Sequence, residues 1–158
     1  MRLRLRTVVL TTCLLALAGC GDGLVRRVSE PTARIQQLTV AADGSWQVDL
    51  RLQNYSSIPM RFDTVDLKIQ LGEHTAGTLE ASPALSIGPE SADVVTLPLQ
   101  PAAEARMIVA DALAARRPLG YQLSGTVAAT PEDAKQRNFT VDSRSSLNQA
   151  PGLPGVLR

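Results

Sequence analysis

Trp46, Val48, Leu50 and Leu52 alternate without a break with Gln47, Asp49, Arg51 and Gln53. Only an extended chain, whose side chains point to opposite faces at each step, gathers such a series onto one side. This stretch is therefore a strand with one face on a core and the other in water. A half-buried strand needs neighbours beside it and a second layer over its apolar face. The flanking sequence offers both. Arg34 to Val40 reads as a preceding strand, with Ile35 and Leu38 or Val40 inward, joined through the hairpin turn Ala42-Asp43-Gly44-Ser45. After Asn54-Tyr55-Ser56-Ser57 breaks the pattern, Met60 and Phe62 share one parity, whereas Val65, Leu67, Ile69 and Leu71 share the other. A bulge near Asp63-Thr64 would return all six to one face.

Thr75 to Ala81 forms a weaker strand, and Leu85 to Ser91 reads as an extended loop. Val95, Leu97 and Leu99 make another core row, in which Pro98 requires an edge or a bulge because it lacks an N–H. The period then changes. Ala105, Ile108, Val109, Ala112 and Leu113 share a helical face between Pro101 and Pro118-Leu119-Gly120, which predicts one short helix near residues 102–116. Its Ala-heavy face suits packing over an open end of a sandwich. Tyr121, Leu123, Gly125 and Val127 alternate again, and a last strand carries Phe139 and Val141. The expected body is an all-β sandwich over residues 32–143, followed by an irregular C-terminal tail over 144–158. Five aromatic residues, Trp46, Tyr55, Phe62, Tyr121 and Phe139, leave that core mainly aliphatic.

Ahead of this body stand Arg2, Arg4 and Arg6 and an apolar run from Val8 to Leu17, the layout of a secretory signal. The run is too short for a comfortable permanent span. It ends in Leu17-Ala18-Gly19-Cys20, which resembles the lipobox of bacterial lipoproteins. The resemblance implies that residues 1–19 are a signal peptide, that the Cys20 thiol takes a diacylglyceryl group, and that the new amine is acylated after cleavage. Two or three acyl chains hold a protein on a membrane essentially permanently, since each buried methylene contributes about 0.8 kcal/mol. Gly21 follows the cysteine and Asp22 comes one place later, which by similarity to lipoprotein sorting favours the outer membrane, facing the periplasm. Residues 20–31, Gly-rich and aperiodic, read as the lipidated tether.

Removing 19 residues from 158 leaves 139, a single-domain length. The leader holds three of the 16 Lys and Arg and none of the 15 Asp and Glu, so the remainder carries 13 positive charges against 15 negative. That balance, with basic doublets only at Arg26-Arg27 and Arg116-Arg117, argues against nucleic acid as a partner. Of the two cysteines, Cys13 leaves with the leader and Cys20 carries lipid, so the body has no disulfide and depends on packing alone.

From Pro31 to about Asp142 the order of signals is similar to the late-embryogenesis-abundant type 2 family, the water-stress and hypersensitive-response (WHy) domain. The carrying stretches are Val48-Asp49-Leu50-Arg51-Leu52-Gln53-Asn54, Val65-Asp66-Leu67-Lys68-Ile69-Gln70-Leu71, Ile87-Gly88-Pro89-Glu90-Ser91 and Tyr121-Gln122-Leu123-Ser124-Gly125. The family's Asn-Pro is here Asn54-Tyr55, which leaves Asn54 free to cap its turn. The resemblance implies an immunoglobulin-like or fibronectin-III-like sandwich of about seven strands with a helix near one end. It also implies a link to desiccation and stress tolerance and no particular reaction.

His74 is the sole histidine, and with no usable thiol a zinc or nucleophilic site would need carboxylates alone around it. Asp63, Asp66 and Glu73 lack the spacing of a calcium loop. No phosphate loop, nucleophile elbow or acid pair occurs. No catalytic residue, metal ligand or cofactor is assigned, and an enzyme is not expected. The expected function is a non-catalytic, lipid-anchored binding or protective module of the periplasm. Its partners are the membrane, through Cys20, and envelope proteins or lipid. The alternative is a structural accessory of an envelope complex or of a lipid-handling system.

Overall fold

A computed structural model of the chain describes residues 26–158. Among them nine strands and one helix follow in order. They are β1 Thr32–Val40, β2 Trp46–Gln53, β3 Met60–Leu71, β4 His74–Ala81, β5 Leu85–Ile87, β6 Ala92–Leu99, α1 Ala103–Ala114, β7 Leu119–Pro131, β8 Arg137–Leu147 and β9 Val156–Leu157. One sheet has the order β6-β2-β1-β9, and the other β4-β3-β7-β8 with β5 also paired to β3. Every pairing is antiparallel. The seven strands of eight or more residues divide three and four between the two layers. This is the fibronectin-III-like sandwich that the sequence predicts.

The alternation in β2 explains the layer contact. Trp46, Val48, Leu50 and Leu52 are buried and join Met60, Phe62, Leu67, Ile69, Leu123 and Val127 in one core. Each such side chain contributes roughly 1.5–3 kcal/mol on burial. The bulge in β3 falls where the parity change requires it, since its pairing with β7 shifts between Phe62 and Thr64. Met60, Phe62, Val65, Leu67, Ile69 and Leu71 are all buried as a result. A second bulge, in β1 between Ile35 and Gln37, brings Ile35 and Leu38 to the same face and leaves Val40 half-buried. Pro98 lies on the edge strand β6, exposed and opposite Gln47. At Gly125 the strands come so close that a Cβ would lie 2.1 Å from the Asp66 carbonyl oxygen.

The helix falls near 102–116 as expected, at Ala103–Ala114 with Ala102 and Ala115 as its caps. Two expectations change. Leu85–Ile87 is a short strand against Met60–Phe62 rather than a loop. The tail over 144–158 is not irregular throughout, because β8 runs to Leu147 and β9 pairs Leu157 with Leu38 and Val156 with Thr39. The physical reason is an edge: β1 otherwise ends its sheet, and the returning chain covers it while burying Leu147, Ala150 and Leu157.

Antiparallel pairing gives the sandwich two ends. β1, β3, β6 and β8 begin at the entry end, and β4 and β7 begin at the other, which α1 covers. Ala102 N–H bonds the Ala76 carbonyl of β4 at 2.9 Å, while Ala105, Val109 and Ala112 are buried. Small side chains let the helix sit close to the strands.

Between the sheets the Tyr121 hydroxyl accepts from Ile35 N–H at 3.0 Å and donates to the Ile35 carbonyl at 3.3 Å. It satisfies the β1 backbone where β9 does not reach. Burial pushes the Tyr121 hydroxyl pKa above its ordinary 10.0, against the opposing effect of the Ile35 bond. A raised folded pKa gives stability that is intact below the unfolded value and lost as pH climbs through the folded one. Urea denaturation is expected to show stability falling above about pH 10, and Tyr121→Phe to flatten that alkaline slope while lowering stability near neutrality by about 1 kcal/mol.

Candidate functional site

The entry end is built around Asn54, the residue that stops β2. Its side chain is fully buried. The Oδ1 accepts from Ser56 N–H at 2.8 Å, the turn-capping bond expected of it. Its Nδ2 also donates to the carbonyls of Ile58, Ile87 and Gly88 at 2.9, 3.2 and 2.9 Å. Two stretches that stand about thirty residues apart, Asn54 to Ser57 and Ile87 to Ser91, are thereby tied together. Backbone bonds from Asn54 N–H to Ser91 O and from Glu90 N–H to Ser56 O close the same corner.

Onto this corner the chain ahead of β1 is fastened. Arg27 N–H donates to Ser57 Oγ at 2.8 Å, Ser57 N–H returns to Arg27 O at 3.0 Å, and Ser29 N–H donates to the buried Ser56 Oγ at 3.0 Å. Arg27 also reaches Tyr55 O and Glu90, and Arg26 reaches Glu132 O and Asp133. Residues 26–31, the described part of the tether expected over 20–31, are therefore docked on the sandwich, and residues 20–25 lie outside the described residues. The doublet Arg26-Arg27 acts as a clasp. Such exposed ion pairs contribute little singly, so the backbone bonds to Ser56 and Ser57 set the position and the arginines close it.

At the helix end a cleft of about 580 Å³ opens between Arg116-Arg117-Pro118 and the loop Asn148 to Pro154. That volume lies within the range of small-molecule sites. The helix ends in a Schellman-type cap, with Arg117 N–H bonded to Ala112 O and Arg116 N–H to Leu113 O. Arg116 occupies the left-handed position, at φ 51°, where glycine is the usual residue. Glu90 and Asp133 adopt the same conformation, at φ 49° and 57°, and both are clasp partners. Ala84 is the fourth non-glycine residue of this kind, and nothing in the structure explains it. Arg117 pairs with Asp111. The Arg116 guanidinium has no such partner among the described residues.

The residues singled out in the sequence do not converge. Cys20 and the flanking Leu17, Ala18 and Gly19 lie outside the described residues. His74 is exposed at the start of β4, Glu73 is exposed in the turn just before it, and Asp66 is exposed along β3. Asp63 sits at the β3 bulge, where it accepts from Thr130 Oγ1 and Arg61 Nε. Burial pushes its carboxyl up, but the bonds from Thr130, Gln136 and Arg61 outweigh that and hold it below its ordinary range. No group of three or more His, Cys, Asp or Glu among the described residues is placed to hold a metal ion. The clasp and the cleft had one visible signal each, an Arg-Arg doublet. The left-handed backbone that gives each its geometry had none.

Fold and ends together define a fibronectin-III-like sandwich with a fastened N-terminal segment at one end and an arginine-lined cleft at the other. Comparison with protein-family models and with curated proteins finds no match. Among solved structures, the chain is similar to a crystal structure of a protein from Archaeoglobus fulgidus. That likeness has 11% identity and a TM-score of 0.41, and covers 78% of this chain and 100% of that one. It is also similar to the X-ray structure of Northeast Structural Genomics Consortium target SoR45, at 12% identity and a TM-score of 0.48, over 80% of this chain and 92% of that one.

Asn54→Ala would leave the carbonyls of Ile58, Ile87 and Gly88 without their donor, at about 1–3 kcal/mol for each buried group left unsatisfied. A loss of at least about 3 kcal/mol is expected in chemical denaturation. Asn54→Asp should be no better at pH 7, because a carboxylate would face those same carbonyl oxygens.

Proposed function

We propose that this chain is a lipid-anchored, non-catalytic binding module of the bacterial envelope. It is held through Cys20 on the outer membrane, faces the periplasm, and protects envelope material or client proteins under water stress. The anchor half of this reading rests on Leu17-Ala18-Gly19-Cys20 and on the charged-then-apolar run ahead of it. The stress half rests on the resemblance to the water-stress domain.

Arg116 is the observation that carries the binding half. A non-glycine residue in the left-handed region costs about 1 kcal/mol or more, and such residues concentrate at functional positions. Glu90 and Asp133 serve in the clasp. By the same reasoning Arg116 is kept for what its guanidinium meets in the cleft, and an anionic group is the chemistry it fits. Weak contacts at a membrane surface gain from high effective concentration, so the anchor is part of the mechanism.

Cys20→Ser should move the protein from the membrane pellet to the soluble fraction, and an unchanged pellet would remove the lipoprotein reading. A deletion strain complemented with the anchored protein should survive drying or hyperosmotic shock better than one given a soluble exported form. Both should outlast the uncomplemented strain, and equal survival would remove the stress reading.

Arg116→Gly separates binding from folding. The variant is expected to be as stable as the parent or more so, by up to about 1 kcal/mol in thermal or chemical denaturation. Anchored, it should nonetheless protect less well than the parent. Full protection by this variant would show that the cleft arginine has no part in the activity.

A further inference from the structure

We infer that the entry end is a bilayer-facing surface, with Tyr55 and Val28 resting at the headgroup level and the helix-end cleft held away from the membrane. The inference rests on the anchor reading of Cys20 and adds an orientation to it.

Chain length supplies the first argument. From Cys20 to Arg26 there are six residues, which at about 3.5 Å each reach no further than about 21 Å. If residues 26–31 were free, twelve residues would separate Cys20 from Thr32, and the reach would be about 42 Å. β3 runs nearly end to end through the sandwich with 12 residues, whose eleven steps span about 36 Å at about 3.3 Å each. The domain's length lies between the two reaches. With the clasp closed, the entry end cannot rise far enough for the helix end to touch the membrane. With the clasp open it could. The clasp therefore excludes the inverted orientation, leaving the domain upright or on its side.

Surface chemistry separates those two. Of the four large hydrophobic residues that are exposed among the described residues, two stand at the entry end, Tyr55 at 49% and Val28 at 36%. Both flank the clasp, since Arg27 bonds the Tyr55 carbonyl and Arg27 and Ser29 bracket Val28 in the docked segment. A tyrosine with an apolar ring and a polar tip is the side chain suited to a membrane interface. The clasp arginines at this end pair with Glu90, Glu132 and Asp133, and Arg61 pairs with Asp63, so these contacts leave them little to offer a lipid. Proximity and the Tyr55 ring hold the end down, and Lys135 and Arg137, exposed at the turn into β8 with no ion pair among the described residues, add attraction to anionic headgroups. Met107 and Leu153, the other two exposed residues, are on α1 and in the loop lining the cleft, at the opposite end.

The test uses lipidated, signal-processed protein in vesicles of phosphatidylethanolamine and phosphatidylglycerol carrying a headgroup-level nitroxide lipid. Cys13 leaves with the leader and the Cys20 sulfur is blocked by lipid, so Val28→Cys, Met107→Cys or Leu153→Cys each offers one site for a fluorophore. Quenching at position 28 should exceed that at 107 and 153 several-fold. Tyr55→Ser should lessen the contrast. Tyr55→Ser combined with six Gly-Ser residues inserted after Gly23, which restores the longer reach, should abolish it. Similar quenching at all three positions in vesicle-bound protein would overturn the orientation while the anchor stands, as would a contrast untouched by the combined variant. Protein that fails to bind the vesicles would instead overturn the anchor, and the orientation with it.

Discussion

A single buried amide sets the geometry of the entry end. Placing Asn54 out of water would be costly if any of its polar atoms lacked a partner, and the protein meets that demand with one bond to its oxygen and three carbonyls that share its two N–H groups. The bonds run to three separate pieces of chain: the turn after β2, the lead into β3, and the end of β5. Of the carbonyls so bound, those of Ile58 and Gly88 belong to irregular segments that no ladder would satisfy, and that of Ile87 closes β5. Once Asn54 is seated, Ser56 is buried beside it and presents its hydroxyl to Ser29. The docking of residues 26–31 thus depends on an interaction that those residues do not make.

Much of the sandwich was legible in the sequence because its signals are local. Period-two alternation marks β2 within eight residues, and the parity break in β3 marks its bulge to within a residue of Asp63. The period change at Pro101 marks α1, and Pro98 marks an edge. What could not be read was non-local. β9 is two residues long and exists because β1 has an open edge to pair, a fact about the far end of the chain. β5 is three residues long and owes its place to Met60–Phe62. Of the candidate sites, Leu17-Ala18-Gly19-Cys20 stood out as a resemblance to a motif and lies outside the described residues, whereas the clasp was visible only as two adjacent arginines whose acidic partners are 63 to 107 positions away.

The left-handed residues mark where local preference yields to something else. Natural sequences tend to agree with their fold at each level, and departures concentrate at functional or strained positions. Glu90 and Asp133 depart from glycine, the residue their backbone favours, and hold the N-terminal segment. An aspartate tolerates this conformation better than a glutamate, because its short side chain can bond locally. Glu90 has no such relief, yet its carboxylate meets Arg27 from the loop that Asn54 holds in place. The strain and its compensation therefore belong to the same corner of the fold.

The separation of the two ends follows from strand parity. In an antiparallel sandwich whose chain enters at one end, the connections alternate between ends, so the position of an insertion is decided by which connection carries it. The turn from β6 and the exit from β8 both fall at the end opposite the entry. The first of these connections holds α1 and the second holds the proline-containing loop. Connections of this kind carry function more often than the scaffold they join, because they vary without disturbing the core. Here the two longest connections at that end meet across the cleft, while the buried amide is left to the end where the chain arrives. A segment fastened at the entry end and a surface free to engage others at the opposite end are consequences of one topology.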